Sequence, residues 1–478
     1  MRALGRASQT REGSRVVILG GGPGGYEAAL VASQLGAHVT LVEQQGLGGS
    51  AVLSDVVPSK TLIATAEWMT VTETAATLGI RRADDDETTG PRGYAVDLAR
   101  VNRRVVELAR AQSDDIRARL EREDVRVVDG RGRLDGVGRV VVERGDGVEE
   151  TVEADIVLVA TGAHPRVLPD AAPDGERILT WTQLYGIDEL PRRLVVVGSG
   201  VTGAEFAGAY RALGSEVVLV SSREQVLPGQ DQDAAALIES VFRRRGMEVL
   251  SRSRAVAARR TADGVEVELA DGRVVEGSHC LIAVGAVPNT RGIGLEEAGV
   301  ALTSSGHVEV DRVSRTTVRT IYAAGDCTGV LPLASVAAMQ GRIAMWHALG
   351  DAVSPLQLAT VASNIFTAPE IATVGVPESA ITSGEVRGTT TTLPLARNPR
   401  AKMLGITEGF VKVFAQEGSG VVLGGVVVGP RASELVFPIT LAVAHRLTVD
   451  QMALAFTVYP SLTGTIAEAA RTLHPTVG

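Results

Sequence analysis

Short runs of β-branched and other apolar residues recur along the chain, and each ends in a glycine. Residues 15–20 (RVVILG) and 193–198 (RLVVVG) are two such runs. Runs this short and this apolar are typical of strands buried inside a parallel sheet. Each is followed by a glycine-rich turn, a helical stretch and a second apolar run. The pattern therefore predicts two units of strand, turn, helix and strand.

The turn after the first run has the GxGxxG spacing, in Gly20, Gly22 and Gly25. The first glycine permits a tight turn, the second lets a pyrophosphate approach the backbone, and the third lets the helix pack close to the strand. Open N–H groups at the start of that helix attract phosphates. Glu43 ends the next strand, where a carboxylate accepts a hydrogen bond from a ribose hydroxyl. This context predicts a dinucleotide site, and a glycine-rich turn without a nucleotide is the alternative.

The second turn repeats the spacing in Gly198, Gly200 and Gly203, but it lacks the acid. Ser221 stands where Glu43 stands in the first unit, 18 residues after the last glycine in both cases. Without the carboxylate, a ribose 2′-phosphate is not repelled, and Arg223 is near enough in sequence to pair with it. We expect tolerance of NADPH, or a preference for NADPH over NADH. The alternative is that Arg223 is a solvated loop residue.

Four further segments make a family resemblance specific. They are residues 157–162 (VLVATG), 281–290 (LIAVGAVPNT), 320–326 (TIYAAGD) and 366–375 (FTAPEIATVG). Their order and spacing resemble those of the flavoprotein pyridine nucleotide–disulphide oxidoreductases, the family of dihydrolipoamide dehydrogenase, over nearly the whole chain. Within that family the chain resembles most the actinobacterial NAD(P)H–quinone reductases, a branch without redox cysteines.

The resemblance implies an α/β fold with two Rossmann-like domains, one for FAD and one for NAD(P), and a C-terminal α+β dimerisation domain. It implies a split FAD domain at residues 15–155 and 281–350, an NAD(P) domain at 156–280, and an interface domain at 351–478. Residues 1–14 are polar and rich in arginine, so we expect them to be disordered and not a signal peptide. The family's cofactor-binding positions also fall on Gly48, Gly49, Thr161, Gly162, Gly285, Asp326 and Ala334. Among them, the aspartate binds the ribityl chain of the flavin.

Residues 46–62 (GLGGSAVLSDVVPSKTL) resemble the family's redox-active helix without its two cysteines. Ala51 and Val56 occupy the cysteine positions, and only a thiolate attacks a disulfide. We therefore expect no lipoamide dehydrogenase activity. Instead, Ala51, Val52 and Val56 would form the walls of an apolar acceptor site on the flavin.

Two charged residues and a helix end complete the site that the resemblance implies. Lys60 would lie beside the flavin nitrogen that accepts hydride, and Glu205 would pair with it and also bind cofactor. A fixed ammonium there would stabilise negative charge on the reduced flavin. The helix that starts near Ala334 would point its N-terminus at the flavin, with the same effect. A surface lysine and a helix-surface acid are the alternatives.

The C-terminal motif of the family is also changed. Dihydrolipoamide dehydrogenase has a histidine before a proline and a glutamate four residues after it, as the base for the dithiol. Tyr459 and Gly464 hold those positions here. A phenol is a poor base at neutral pH, but its ring can stack on a quinone or a flavin. We therefore expect Tyr459 to act on a different acceptor.

The composition of the chain argues against several other classes of protein and site. The net charge of −9 and the 3% of aromatic residues argue against a nucleic-acid surface. The two cysteines, Cys280 and Cys327, lie too far apart in sequence for a CxxC motif, and we expect buried, unreactive thiols in a cytoplasmic protein. The histidines have no metal-site spacing, and no uninterrupted apolar stretch is long enough to cross a membrane. We expect no metal and no integral membrane segment.

The leading hypothesis is a homodimeric, FAD-dependent NAD(P)H:quinone oxidoreductase, with hydride passing from NAD(P)H to flavin and electrons then passing to a quinone-like acceptor. A soluble pyridine nucleotide transhydrogenase also lacks the disulfide and has Tyr-Pro at the matching site, but it keeps the glutamate that is Gly464 here. A flavin-binding pseudoenzyme that acts through protein contacts is the third hypothesis.

Overall fold

A computed structural model of the chain describes residues 13–75, 78–80 and 94–474. The segment predicted to be disordered is residues 1–14, and residues 1–12 of it lie outside the described residues. The described chain divides into two compact units. The first comprises the described residues up to 59 together with 102–166 and 285–356, and the second comprises those of 60–101 together with 167–284 and those from 357 onwards. The finer domain boundaries expected from the sequence stay a prediction.

The α-helices alternate with strands through most of the chain. They are α1 (Pro23–Gln34), α2 (Gly49–Leu53), α3 (Val56–Ala75), α4 (Leu98–Arg122), α5 (Val201–Leu213), α6 (Gln232–Arg244), α7 (Ala334–Leu349), α8 (Glu378–Thr382), α9 (Pro399–Met403), α10 (Ala432–Leu435), α11 (Phe437–Ala444), α12 (Val449–Leu454) and α13 (Gly464–Thr472). No helix among the described residues has both the length and the apolar composition of a membrane span.

The strands are β1 (Arg15–Leu19), β2 (His38–Glu43), β3 (Arg126–Asp129), β4 (Arg131–Leu134), β5 (Arg139–Glu143), β6 (Glu149–Glu153), β7 (Ile156–Val159), β8 (Ala163–Pro165), β9 (Ile178–Thr180), β10 (Arg193–Val197), β11 (Glu216–Val220), β12 (Glu248–Leu250), β13 (Ala255–Arg260), β14 (Val265–Leu269), β15 (Val274–Gly277), β16 (His279–Ile282), β17 (Ala286–Pro288), β18 (Ile321–Ala323), β19 (Ser363–Ile365), β20 (Glu370–Gly375), β21 (Gly388–Pro394), β22 (Phe410–Gln416) and β23 (Val422–Gly429).

The first unit is built on a five-stranded parallel sheet in the order β18-β7-β1-β2-β3. Its central strands β1 and β7 are almost wholly apolar and buried, as expected of a parallel sheet covered on both faces. Helices α1 and α7 pack together on one face. The antiparallel sheet β4-β5-β6 lies on the other face. Strands β8 and β17 form a separate two-stranded sheet in the same unit. The first predicted strand–turn–helix–strand unit therefore forms as expected.

The second unit repeats the parallel arrangement in the order β12-β11-β10-β16-β9 and adds the antiparallel sheet β13-β14-β15. It also contains a five-stranded antiparallel sheet in the order β19-β20-β23-β22-β21. Helices α11 and α13 pack on this last sheet and bury their apolar side chains against it. The predicted fold class, two Rossmann-like domains and a C-terminal α+β domain, is confirmed.

Two glycines of α5 differ sharply in the space around them. A Cβ on Gly203 would lie 1.8 Å from the Gly198 carbonyl oxygen, so the helix can approach the end of β10 only without a side chain. On Gly208 the nearest atom would be a ring carbon of Phe242 at 3.4 Å, which is ordinary van der Waals contact. The third glycine of the motif is therefore required by packing, and Gly208 is not.

We predict opposite effects on stability from alanine at these two positions. Gly203→Ala should lower the free energy of unfolding by about 1–3 kcal/mol, because the methyl group displaces backbone. Gly208→Ala, the matched control, should leave it unchanged or raise it by about 0.5–1 kcal/mol, because alanine loses less backbone entropy in a helix. Thermal unfolding monitored by circular dichroism measures both. Equal losses of unfolding free energy in the two variants would show that the close backbone contact at Gly203 does not determine stability.

Candidate active site

A cavity of about 760 Å³ opens in the first unit, at the carboxyl ends of the parallel strands. Residues that follow β1, β2, β7 and β18 line it, among them Gly20, Gln44, Thr161 and Asp326. The crevice outside the carboxyl ends of the strands is where open α/β sheets bind their ligands. Its volume is in the range of cofactor-sized sites.

The glycine-rich turn forms one wall of this cavity. Helix α1 begins after Gly22, and no side chain caps its first N–H groups. A Cβ on Gly22 would meet no atom within 4 Å, so the space beside the turn is open. Gly25 lies beneath, where a Cβ would come within 1.8 Å of the Gly20 carbonyl oxygen. Open N–H groups beside empty space fit a pyrophosphate.

Glu43 is buried beside this turn and lines the cavity. Its carboxylate accepts the backbone N–H of Gly21 at 2.6 Å, that of Gln45 at 2.7 Å and that of Gly46 at 3.3 Å. These bonds fix the carboxylate at the end of β2. A carboxylate accepts up to about four hydrogen bonds, so Glu43 keeps capacity for a ribose hydroxyl.

Asp326 lines the cavity on the far side of β7. Burial raises the pKa of its carboxyl group, and His307 lowers it in part. Among the described residues, no group donates a hydrogen bond to this carboxylate. The adjacent turn is held by Gln340, whose Oε1 accepts the Gly325 N–H at 2.9 Å. A half-buried acceptor without a donor fits a polyhydroxyl chain such as the ribityl group of FAD.

The residues predicted for the rest of the flavin site are not all at the cavity. Gly49, Thr161, Gly162 and Ala334 line it, whereas Gly48 and Gly285 do not. The Thr161 hydroxyl donates to the Asn289 carbonyl at 2.7 Å, and Asn289 Nδ2 donates back to the Thr161 carbonyl at 2.9 Å. This reciprocal pair holds the ATG and GxxPN segments together.

Both positions of the missing cysteines face the cavity. Ala51, Val56 and the intervening Asp55 line it, but Val52 packs into the apolar core, so the expectation that Val52 forms part of the wall was wrong. The two cysteines of the chain are elsewhere, free and buried. Burial raises the pKa of Cys280 to about 12 and that of Cys327 to about 11, so both remain protonated at neutral pH. Neither thiol has the character of a redox nucleophile.

Helix α3 starts at Val56 and carries Lys60 one turn later. The Lys60 ammonium lies 2.8 Å from the carboxylate of Glu205, which is only 3% exposed. The other Glu205 oxygen accepts the backbone N–H of Phe366 at 2.8 Å, and Lys60 Nζ lies 5.0 Å from the centroid of the Phe366 ring. The structure therefore brings the two residues together as the resemblance implied. The structure also shows a contact of Phe366 with this pair. That contact was not predicted from the sequence, although Phe366 begins the family segment at residues 366–375.

The second glycine-rich turn precedes α5, whose N-cap Gly200 also leaves the first N–H groups uncapped. Ser221, at the end of β11, is fully buried, and its hydroxyl lies 2.7 Å from that of Ser199. Ser221 Oγ also accepts the backbone N–H of Arg223 at 3.1 Å. In the first unit the Glu43 carboxylate binds the Gly21 N–H, whereas here two hydroxyl groups pair. Ser199 follows Gly198 as Gly21 follows Gly20, and this equivalence could have predicted the pair.

The two remaining predicted residues of the site are exposed. The Arg223 guanidinium has no hydrogen-bond or ion-pair partner in the described part of the chain, so it is available to an anion. Tyr459 is 82% exposed and does not line the cavity. It follows two other exposed apolar residues, Phe456 and Val458.

Comparisons with known proteins identify the family of this chain. Residues 14–341 match the pyridine nucleotide-disulphide oxidoreductase family, and residues 361–470 match its dimerisation domain. An NAD(P)H dehydrogenase (quinone) of Mycobacterium tuberculosis is 53% identical over 96% of this chain and 94% of its own length. A dihydrolipoyl dehydrogenase of Zymomonas mobilis is 33% identical over 96% of this chain and 98% of its own.

Solved structures give the same result. The crystal structure of LpdA from Mycobacterium tuberculosis superposes with a TM-score of 0.91 at 53% identity, over 97% of this chain and 100% of that one. The flavoprotein disulfide reductase RclA of Escherichia coli shares the fold, with a TM-score of 0.83 at 23% identity over 96% of this chain and 99% of its own. The chain therefore belongs to the pyridine nucleotide–disulphide oxidoreductase family, whose members use FAD and NAD(P)H.

Proposed function

We propose that this protein is an FAD-dependent NAD(P)H:quinone oxidoreductase that works without a redox disulfide. The observation that carries the proposal is the wall of the flavin cavity, where Ala51 and Val56 stand in place of the family's cysteines. The Lys60–Glu205 pair and both glycine-rich turns are intact. A site with the parts for flavin reduction but no thiol requires an acceptor that reacts directly.

When bound, FAD supplies the relay that takes hydride from NAD(P)H and returns electrons to an acceptor. Lys60 contributes a charge that Glu205 holds in a fixed position, and a fixed cation stabilises negative charge that develops nearby. Helix α7 starts at Ala334, on the cavity wall, with no side chain capping its N-terminus. The dipole of α7 favours negative charge near Ala334.

The acceptor we propose is a flat, apolar quinone. The methyl group of Ala51 and the exposed isopropyl group of Val56 present apolar surface to the cavity. Small-molecule sites are mostly apolar, with few polar groups to fix orientation. The name of the relative from Mycobacterium tuberculosis, NAD(P)H dehydrogenase (quinone), supports this acceptor class.

We also propose that the protein acts as a homodimer, because it carries the family's dimerisation domain. The exposed apolar side chains of Phe456, Val458 and Tyr459 support this proposal, since they would otherwise face water. Tyr459 would then act as an aromatic contact of the acceptor and not as a base. A cytoplasmic location, expected from the free cysteines, stays a prediction.

We expect the holoenzyme with NADPH to reduce menadione much faster than it reduces oxygen, and to leave lipoamide unreduced. Anaerobic stopped-flow measurement of flavin reoxidation, with oxygen, menadione and an NAD⁺ analogue as separate acceptors, tests this directly. Faster reduction of the NAD⁺ analogue than of menadione would favour a transhydrogenase. Failure of NADPH to bleach the flavin would favour a protein that acts only through contacts.

The second glycine-rich turn supports a preference for NADPH. Ser221 presents no charge to a ribose 2′-phosphate, and Arg223 offers an unpaired guanidinium on the loop that follows. Charge-assisted hydrogen bonds from arginine to phosphate are among the stronger polar contacts in proteins. NADH has no 2′-phosphate, so only NADPH gains from Arg223.

We predict that Arg223→Ala lowers kcat/KM for NADPH by about tenfold, because one charge-assisted contact is lost, and leaves that for NADH within twofold. Ser221→Asp should shift the preference in the same direction by restoring an acid at the end of β11. Arg259→Ala is the matched control, since it removes an exposed arginine of the same unit that already pairs with Glu268. If the ratio of kcat/KM for NADPH to that for NADH is unchanged in Arg223→Ala, Arg223 does not bind the 2′-phosphate.

A further inference from the structure

A buried lysine lies at the centre of an acidic cluster in the second unit. Lys412, on β22, is 1% exposed. Its ammonium lies 3.0 Å from Asp231 Oδ2 and 2.6 Å from Asp233 Oδ2, and it also contacts Glu378. Burial acts to lower the pKa of Lys412, but hydrogen bonds to Asp233, Glu378 and Asp231 outweigh it and hold the pKa above its ordinary value. The lysine is therefore charged, and its ammonium occupies the centre of the cluster.

Asp231 connects this cluster to the nucleotide-binding loop. It is the last residue of the segment 221–231, which runs from β11 to α6 and carries Arg223. Its side chain also accepts the backbone N–H of Ala234 at 3.0 Å and so caps α6. Because Asp231 is only 4% exposed, its charge depends on Lys412 for compensation.

The same loop is attached to the glycine-rich turn at two earlier points. At its start, the Ser221 hydroxyl pairs with that of Ser199. In its middle, the Leu227 N–H donates to the Ser199 carbonyl at 2.8 Å, and the Leu227 side chain is buried. Arg223 thus lies on a short span whose beginning and middle are fixed by Ser199. The Arg252 N–H donates to the Arg223 carbonyl at 2.8 Å, and a further attachment, at Asp231, comes from the C-terminal sheet.

We infer that Lys412 is a positioning residue for nucleotide selectivity, holding the 221–231 loop where the Arg223 guanidinium meets the 2′-phosphate of NADPH. This inference rests on the role proposed above for Arg223. Lys412 lies on the C-terminal sheet, and its ammonium contacts the loop at Asp231, so its influence on the nucleotide would pass through that contact. Without the ammonium, three carboxylates would face one another, and their repulsion would displace the start of α6 and the end of the loop.

The test compares kinetics with the two nucleotides in the full-length holoenzyme. Lys412→Met should raise KM for NADPH about five- to tenfold, and should leave KM for NADH and kcat with either nucleotide within twofold. Lys412→Arg, which keeps the charge, should recover most of the NADPH affinity. A loss of general stability would instead affect both nucleotides alike.

Asp231→Asn provides a second route if Lys412→Met does not fold. Asparagine caps helices as well as aspartate does, so α6 keeps its cap while the ion pair is lost. It should raise KM for NADPH as Lys412→Met does. Glu378→Gln is the control, because it removes a carboxylate from the same ammonium without touching the loop, and it should leave the NADPH:NADH ratio within twofold.

A double-mutant cycle decides the mechanism. Arg223→Ala should weaken the use of NADPH much less in the Lys412→Met or Asp231→Asn background than in the wild type. A misplaced guanidinium no longer contacts the 2′-phosphate, so its removal has little further effect. Additive effects, or an unchanged NADPH:NADH ratio in both anchor variants while Arg223→Ala remains effective, would overturn this inference alone. An unchanged ratio in Arg223→Ala itself would overturn the proposed Arg223 site and this inference with it.

Discussion

The Glu205 carboxylate is buried, and a buried charge is tolerated only when a cation and hydrogen-bond donors surround it. Lys60 supplies the cation from α3, and the Phe366 backbone supplies the donor from the turn between β19 and β20. The carboxylate itself comes from the second turn of the helix that follows the nucleotide loop. Three segments far apart in sequence are thus held by one side chain, and Glu205 fixes the position of the Lys60 ammonium.

The chain uses one supersecondary unit twice and changes a few positions between the two copies. In the first copy Glu43 accepts three backbone N–H groups and keeps capacity for a ribose hydroxyl. In the second, Ser221 and Ser199 pair through their hydroxyl groups, and the negative charge is gone. The sheets and the glycine contacts are otherwise alike. The two copies therefore differ in charge at the same strand end, and the proposed preference for NADPH rests on that difference.

Much of this arrangement follows from sequence because it is local. The glycine spacing and the apolar runs fix the turns and parallel strands, and the family resemblance pairs Lys60 with Glu205. The contacts of Phe366, Gln340 and Lys412 were not predicted, because each joins segments distant in sequence and no local pattern reports such contacts. Val52 was misassigned to the acceptor wall for a related reason. It lies beside Ala51 in the sequence, but the turn of α2 directs it into the core.

We propose that the flavin cavity serves its acceptor directly, without the redox disulfide of the family. Anaerobic titration of the holoenzyme with NADPH tests this by counting the reducing equivalents that each bound FAD takes up. We predict full reduction with about one equivalent of NADPH, because FAD accepts one hydride and the buried thiols of Cys280 and Cys327 accept none. Uptake of about two equivalents would reveal a second two-electron centre and contradict the account.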